Sequence, residues 1–162
     1  MPTQPGLNES NGHARHYSLD ARAVVLEGLS ARQMERLRAY TQKYPIVVTD
    51  DDVMTRGLLR TILRDLTVIF IREGAEVLDI CRQHPVSLVI SDIMKPRMTG
   101  LEMLRHLRAD PATTHVPVIF VTGSSNSEAL AYDMGANGHL MKPFHPNALL
   151  LEIWRVLRDR LQ

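Results

Sequence analysis

Beyond Pro45, apolar residues come in two rhythms. Short β-branched runs occupy 46–50 (IVVTD), 67–71 (TVIFI), 87–91 (SLVIS), 116–121 (VPVIFV) and 139–141 (HLM), and each predicts a strand. None alternates strictly with polar residues, as expected of strands buried on both faces. Between the runs, apolar positions recur every three or four residues and predict helices. In the first, Leu58, Ile62 and Leu66 form a stripe with Leu59 and Leu63 beside it. The others cover roughly 75–84, 101–109, 125–134 and 146–161. Five strands, each followed by a helix, call for an α/β fold with a parallel sheet covered on both faces. Right-handed crossovers leave few topologies; a flavodoxin-like (βα)5 sandwich, strand order 2-1-3-4-5, is expected.

The segment ahead of Pro45 reads differently. Residues 1–18 are rich in Pro, Gly, Asn, Ser and His, have little to bury and are expected to be mobile. Residues 19–44 are expected to form a helical extension of two short helices. Ser18 would cap the first and Gly28 end it. Ser30 would cap the second, with Gln33 completing a capping box and Met34, Leu37 and Tyr40 at helical spacing. Residues 45–162 form the main domain.

Composition narrows the setting. The 162 residues, 44% hydrophobic, suffice for one globular domain. No apolar run is long enough to cross a bilayer, and the N-terminus has no secretory h-region. The single cysteine, Cys81, cannot form an internal disulfide and shares an apolar helix side with Val77 and Leu78, the setting of a small buried hydrophobe. A cytoplasmic location follows as the expectation, with no membrane association. With 19 basic and 18 acidic residues, the chain lacks the electrostatic footprint of a nucleic-acid binder.

In open parallel sheets, ligands sit beyond the carboxyl ends of the strands. The first strand ends in Asp50-Asp51-Asp52, which reads equally well as a metal-binding acid group or as an acidic helix start. The third ends in Asp92, followed by a loop, 93–100, whose Pro and Gly suggest a fixed turn. The fourth ends in Thr122-Gly123 and the fifth in Lys142-Pro143-Phe144. A metal-binding acid pair, a nucleophilic carboxylate, a hydroxyl and an ammonium are together the parts phosphoryl transfer needs.

The stretches VVTDDDVMTRGLL, LVISDIMKPRMTGLEML, PVIFVTG and GANGHLMKPF make the chain from 45 to 162 resemble the receiver domain of two-component response regulators. The resemblance implies a signalling protein that takes a phosphoryl group onto Asp92 from a histidine kinase or phosphotransfer protein. It implies Mg²⁺ held by Asp50, Asp51, the Asp92 carboxylate and the Met94 backbone carbonyl. Thr122 and Lys142 would each engage a phosphoryl oxygen. Thr122 and the residue at the position of His139 would form the switch, reshaping the surface of the helix at 125–134, the fifth strand and the last helix for a downstream effector. On this reading the chain catalyses only its own phosphorylation and dephosphorylation, and carries no attached effector.

Four departures from the family pattern stand out. His139 replaces a usual Tyr or Phe, with scope for a pH-dependent switch. Thr99 replaces a common Asp, and Lys95 puts a charge where Met is frequent. Met94 and Ser124 occupy positions that tune hydrolysis, and a bulky Met94 would shield the aspartyl phosphate from water. Rival readings are a phosphorylation-independent interaction module with a retained acidic pocket, and an aspartyl phosphatase, for which Met94 cannot serve as general acid. The stretch 122–126 superficially resembles a flavin phosphate loop but follows the wrong strand. His13 and His16 read as exposed imidazoles, Trp154 as face packing, and Arg97 and Arg105 as solvated. The N-terminal segment could pack on the receiver and shield its fourth helix, pair two copies as a homodimer, or serve as a linker.

Overall fold

Two interleaved sets of strand side chains decide the architecture. The computed structural model describes residues 27–161. Its five strands are β1 (Ile46–Thr49), β2 (Val68–Ile71), β3 (Leu88–Ser91), β4 (Val118–Thr122) and β5 (Gly138–Met141), all parallel, in the order β2-β1-β3-β4-β5. The expected fold and strand order hold. Val47, Val89, Val118 and Phe120 face one side of the sheet; Ile46, Val48, Leu88, Ile90, Ile119 and Val121 face the other. Each set is sealed by helices, so the strands are apolar throughout and need no polar alternation.

Helices α3 (Gly74–Gln83), α4 (Gly100–Ala109) and α5 (Glu128–Asp133) cover the first side, through Val77, Leu78, Cys81, Met103, Leu104, Leu107 and Ala131. Helices α2 (Val53–Ile62) and α6 (Pro146–Leu157) cover the second, through Leu59, Leu63, Leu149, Ile153 and Leu157. A helix ahead of β1, α1 (Ala31–Lys43), joins this second layer. Its N-terminus carries the predicted Ser30–Gln33 capping box. Leu37 is wholly buried, the Thr41 hydroxyl accepts the Thr67 amide at 3.2 Å, and Arg36 donates to the Leu161 carbonyl while lying over the Trp154 ring. Residues 31–43 thus pack on the α2–α6 layer and do not shield α5, which lies across the sheet. The Ser18-capped helix, the stretch 1–18 and His13 and His16 fall outside the described residues.

Three element readings change. In α2 the buried face is Leu59 and Leu63, while Leu58 turns outward and is 45% exposed. Helix α5 starts at Glu128 instead of 125, because Ser127 donates to the Ser124 carbonyl and Ser125 to the Asn126 side chain. Such local bonds compete with the first helical turn. The last helix ends at Leu157 and tightens into a 3₁₀ turn, Arg158–Arg160. Cys81 is buried as expected, and desolvation pushes its thiol up to about 11.

Candidate functional site

Register sets the height of the site. Thr49 lies level with Ser91 on the neighbouring strand, so Asp50 and Asp92 leave adjoining strands side by side. On the other flank Thr122 lies level with Met141, and Lys142 follows. The Lys142 ammonium reaches back across the sheet edge to both carboxylates, donating to Asp92 Oδ2 at 2.8 Å and to Asp50 Oδ2 at 3.1 Å. The remaining oxygens accept backbone amides: Asp92 Oδ1 from Met94 at 2.9 Å and Asp50 Oδ1 from Asp52 at 2.9 Å. The Lys142–Pro143 bond is cis.

The acid triplet divides by role. Asp50 is buried in the site, whereas Asp52 caps α2, accepting the Thr55 amide at 2.9 Å. Asp51 between them is exposed. The helix-start reading of the triplet is therefore realised by Asp52, while Asp50 enters the site. Burial pushes the Asp50 carboxyl above its ordinary range, against the pull of the Asp52 amide and Lys142. Desolvation lowers the Lys142 pKa, but its hydrogen bonds to Asp92 and Asp50 outweigh that and hold it above the usual lysine value. The ammonium stays charged at neutral pH, as a bridge between two carboxylates requires.

The loop after Asp92 is pinned at several points. Gly100 donates to the Ile93 carbonyl at 2.9 Å, and a Cβ there would collide with the Asp92 carbonyl and stand 2.8 Å from the Phe120 ring. Thr99 caps α4 in a reciprocal box with Glu102, which accounts for a Thr at this turn. Arg97, with φ of 64°, pairs through its guanidinium fork with Glu73 at the start of α3, so it is not simply solvated. Lys95 turns inward and donates to the Thr49 hydroxyl. The sequence carried a signal for the Thr99 cap, the T-x-x-E spacing; for Arg97 and Lys95 it carried none, because their partners lie on distant strands and loops.

The other predicted residues sit nearby. Thr122 is fully buried, its hydroxyl accepting the Ser124 amide at 3.3 Å. The Met94 side chain is 69% exposed. His139, level with Phe120, has a buried Nε2 without a hydrogen-bond partner among the described residues, and the Tyr132 hydroxyl lies against its main chain. A groove of about 490 Å³ adjoins Lys142, lined by Met54, Thr55, Leu58, Pro143 and Phe144.

Among the described residues no three His, Cys, Asp or Glu side chains gather so as to enclose a metal. The donor set nonetheless suits Mg²⁺, which binds through one or two carboxylates and keeps several waters. Asp50 and Asp92 are all-oxygen donors with unused acceptor positions beside their present bonds.

The chain matches the family model of the response regulator receiver domain over residues 46–153. It is 36% identical over 111 residues to the probable transcriptional regulator ycf29 of Pyropia yezoensis, a match covering 66% of this chain and 50% of that protein. Two further curated relatives are matched over 29% and 10% of their own lengths, so the chain spans half or less of these three proteins. Among solved structures, the chemotaxis response regulator CheY4 of Vibrio cholerae superposes with a TM-score of 0.63 at 28% identity, covering 69% of this chain and 97% of that one. The receiver domain of the sensor histidine kinase PA1611 from Pseudomonas aeruginosa, solved with a magnesium ion in its active-site cleft, shares the fold: TM-score 0.64, 20% identity, 70% and 96% coverage.

Proposed function

The chain belongs to the response regulator receiver domain family of two-component signalling, and we propose that it is switched by phosphorylation of Asp92. One observation carries this reading: a single ammonium, Lys142, bridges carboxylates that leave two adjoining strands. Such a bridge costs desolvation of three charges, worthwhile where a further anion must be received.

In this mechanism an Asp92 carboxylate oxygen attacks the phosphorus of a phosphohistidine. The new P–O bond forms as the P–N bond breaks, and the imidazole departs with the electron pair. Lys142 neutralises charge on the incoming phosphoryl oxygens, and the Met94 amide holds Asp92 in position. Asp50, Asp51, the Asp92 carboxylate and the Met94 carbonyl would hold Mg²⁺, which supplies further charge neutralisation. Thr122 turns its hydroxyl from the Ser124 amide to a phosphoryl oxygen, and His139 responds beside it. No residue two positions past Asp92 can act as a general acid, so the chain catalyses only its own phosphorylation and slow dephosphorylation.

Two exposed apolar faces support partner exchange. Val53, Met54 and Leu58 beside Phe144 form a patch at the mouth of the site, suited to a histidine kinase or phosphotransfer protein. Leu130, Tyr132 and Met141 lie exposed on α5 and β5, the face that a downstream effector would read. Acetyl phosphate with Mg²⁺ should retard the wild-type chain on a Phos-tag gel and leave Asp92→Asn unshifted. An equal shift in both would move the acceptor elsewhere; no shift in either would favour an interaction module that works without phosphorylation.

A further inference from the structure

Among the described residues, the charged side chains buried outright are Asp50 and Lys95, and both belong to one pocket. Lys95 leaves the loop after β3, where its neighbours Met94, Pro96 and Arg97 are exposed, yet it turns inward. Its ammonium reaches the end of β1 and donates to the Thr49 hydroxyl, a fully buried group that in turn donates to the Arg72 carbonyl at 3.4 Å. It makes no ion pair among the described residues. A buried ammonium bonded to a neutral hydroxyl is costly unless the surrounding field compensates. Asp51, Asp50, Glu73 and Asp92 supply that field, although desolvation still pulls the Lys95 pKa below the ordinary lysine value.

The placement is two-sided. Lys142 approaches the acids from β5, and Lys95 approaches from the β1–β2 side. Glu73 is matched by Arg97, and Asp52 is occupied in capping α2. The acids left over, Asp50, Asp51 and Asp92, carry three negative charges against two ammoniums, a net charge of one negative. Lys142 alone would leave two, the charge that a divalent ion balances.

We propose that Lys95 is a second resident cation of the acid pocket, holding charge that a divalent ion would otherwise neutralise and so setting how weakly the unphosphorylated pocket takes Mg²⁺. The inference rests on the reading of Asp50, Asp51 and Asp92 as the metal site, and it makes Lys95 a positioning residue outside the ligand set. A unit charge a few ångströms from a divalent ion, screened as in a partly wet pocket, changes affinity by about tenfold.

Isothermal titration of the full chain with MgCl₂ tests this in the wild type, K95M, K95Q and K95R. K95M and K95Q should bind Mg²⁺ about tenfold more tightly than the wild type. K95R, which keeps the charge, should stay near it. K95Q retains a donor for Thr49, so its agreement with K95M assigns the effect to charge and not to the hydrogen bond. Thermal melts of the same variants establish that each is folded. Equal affinity in the wild type, K95M and K95Q overturns the proposal and leaves the metal site standing. Absence of Mg²⁺ binding in all four overturns the proposal together with the reading on which it rests.

Discussion

His139 shows how one atom records a conflict between sequence and environment. It stands on β5 level with Phe120, and its Nε2 is buried with no hydrogen-bond partner among the described residues. A buried polar atom left unpaired costs about 1–3 kcal/mol. His139→Phe keeps the ring and removes the orphan, so it should raise stability by about 1 kcal/mol, or a few degrees in Tm. A thermal melt checks this, and a lower Tm would mean that the imidazole has an unseen stabilising role. The neighbouring Gly100 illustrates the opposite case, a residue fixed by lack of space: no side chain fits between the Asp92 carbonyl and Phe120.

At the scale of elements, α3 is tied to the end of α4 by Arg82, which donates to Asp110 at 2.7 Å. Arg82 first, and then the Ala112 amide, hold the Asp110 carboxyl below its usual range. A depressed acid stabilises the fold above its unfolded pKa and loses that contribution as pH falls through the folded one. Arg82→Ala should therefore melt below the wild type at neutral pH, and the gap should close as pH drops below the ordinary aspartate range. A gap that stays constant as pH falls through and below that range would rule out the charge pair as its source. Helix α1 is a structural part of its layer, and Leu37→Ala should cost about 3 kcal/mol, lowering Tm by roughly 10 °C without abolishing phosphorylation.

These elements also show what the sequence can reveal. The β-branched runs marked all five strands within two residues at each end, and the ends of the first, third, fourth and fifth named Asp50, Asp92, Thr122 and Lys142. The Ser30–Gln33 box located α1. The inward turn of Lys95, the Arg97–Glu73 pair and the outward turn of Leu58 were not legible. Each depends on which of two distant segments comes near, and periodicity reports only a residue's own element. The shortened α5 has the same character, since serine hydroxyls bonding to nearby groups, and not the apolar pattern, set its start.

For the molecule as a whole, the two helical layers form a rigid frame that brings the strand ends together, and no described helix is long and apolar enough to cross a membrane. A ligand that binds only the folded frame must stabilise it. Mg²⁺ at about 100 times its Kd should add about 2.7 kcal/mol, removable by EDTA and absent in Asp50→Asn. A melt unmoved by Mg²⁺ in the wild type would remove the metal from the account. The central claim, that Asp92 carries the phosphoryl group, meets its most direct test in borohydride trapping after acetyl phosphate treatment, followed by peptide mass mapping. With Asp92 as the acceptor, homoserine appears in the peptide at position 92 and at no other aspartate. Reduction at Asp50 or Asp51 instead, or at none of the three under conditions that phosphorylate a known receiver, would contradict it.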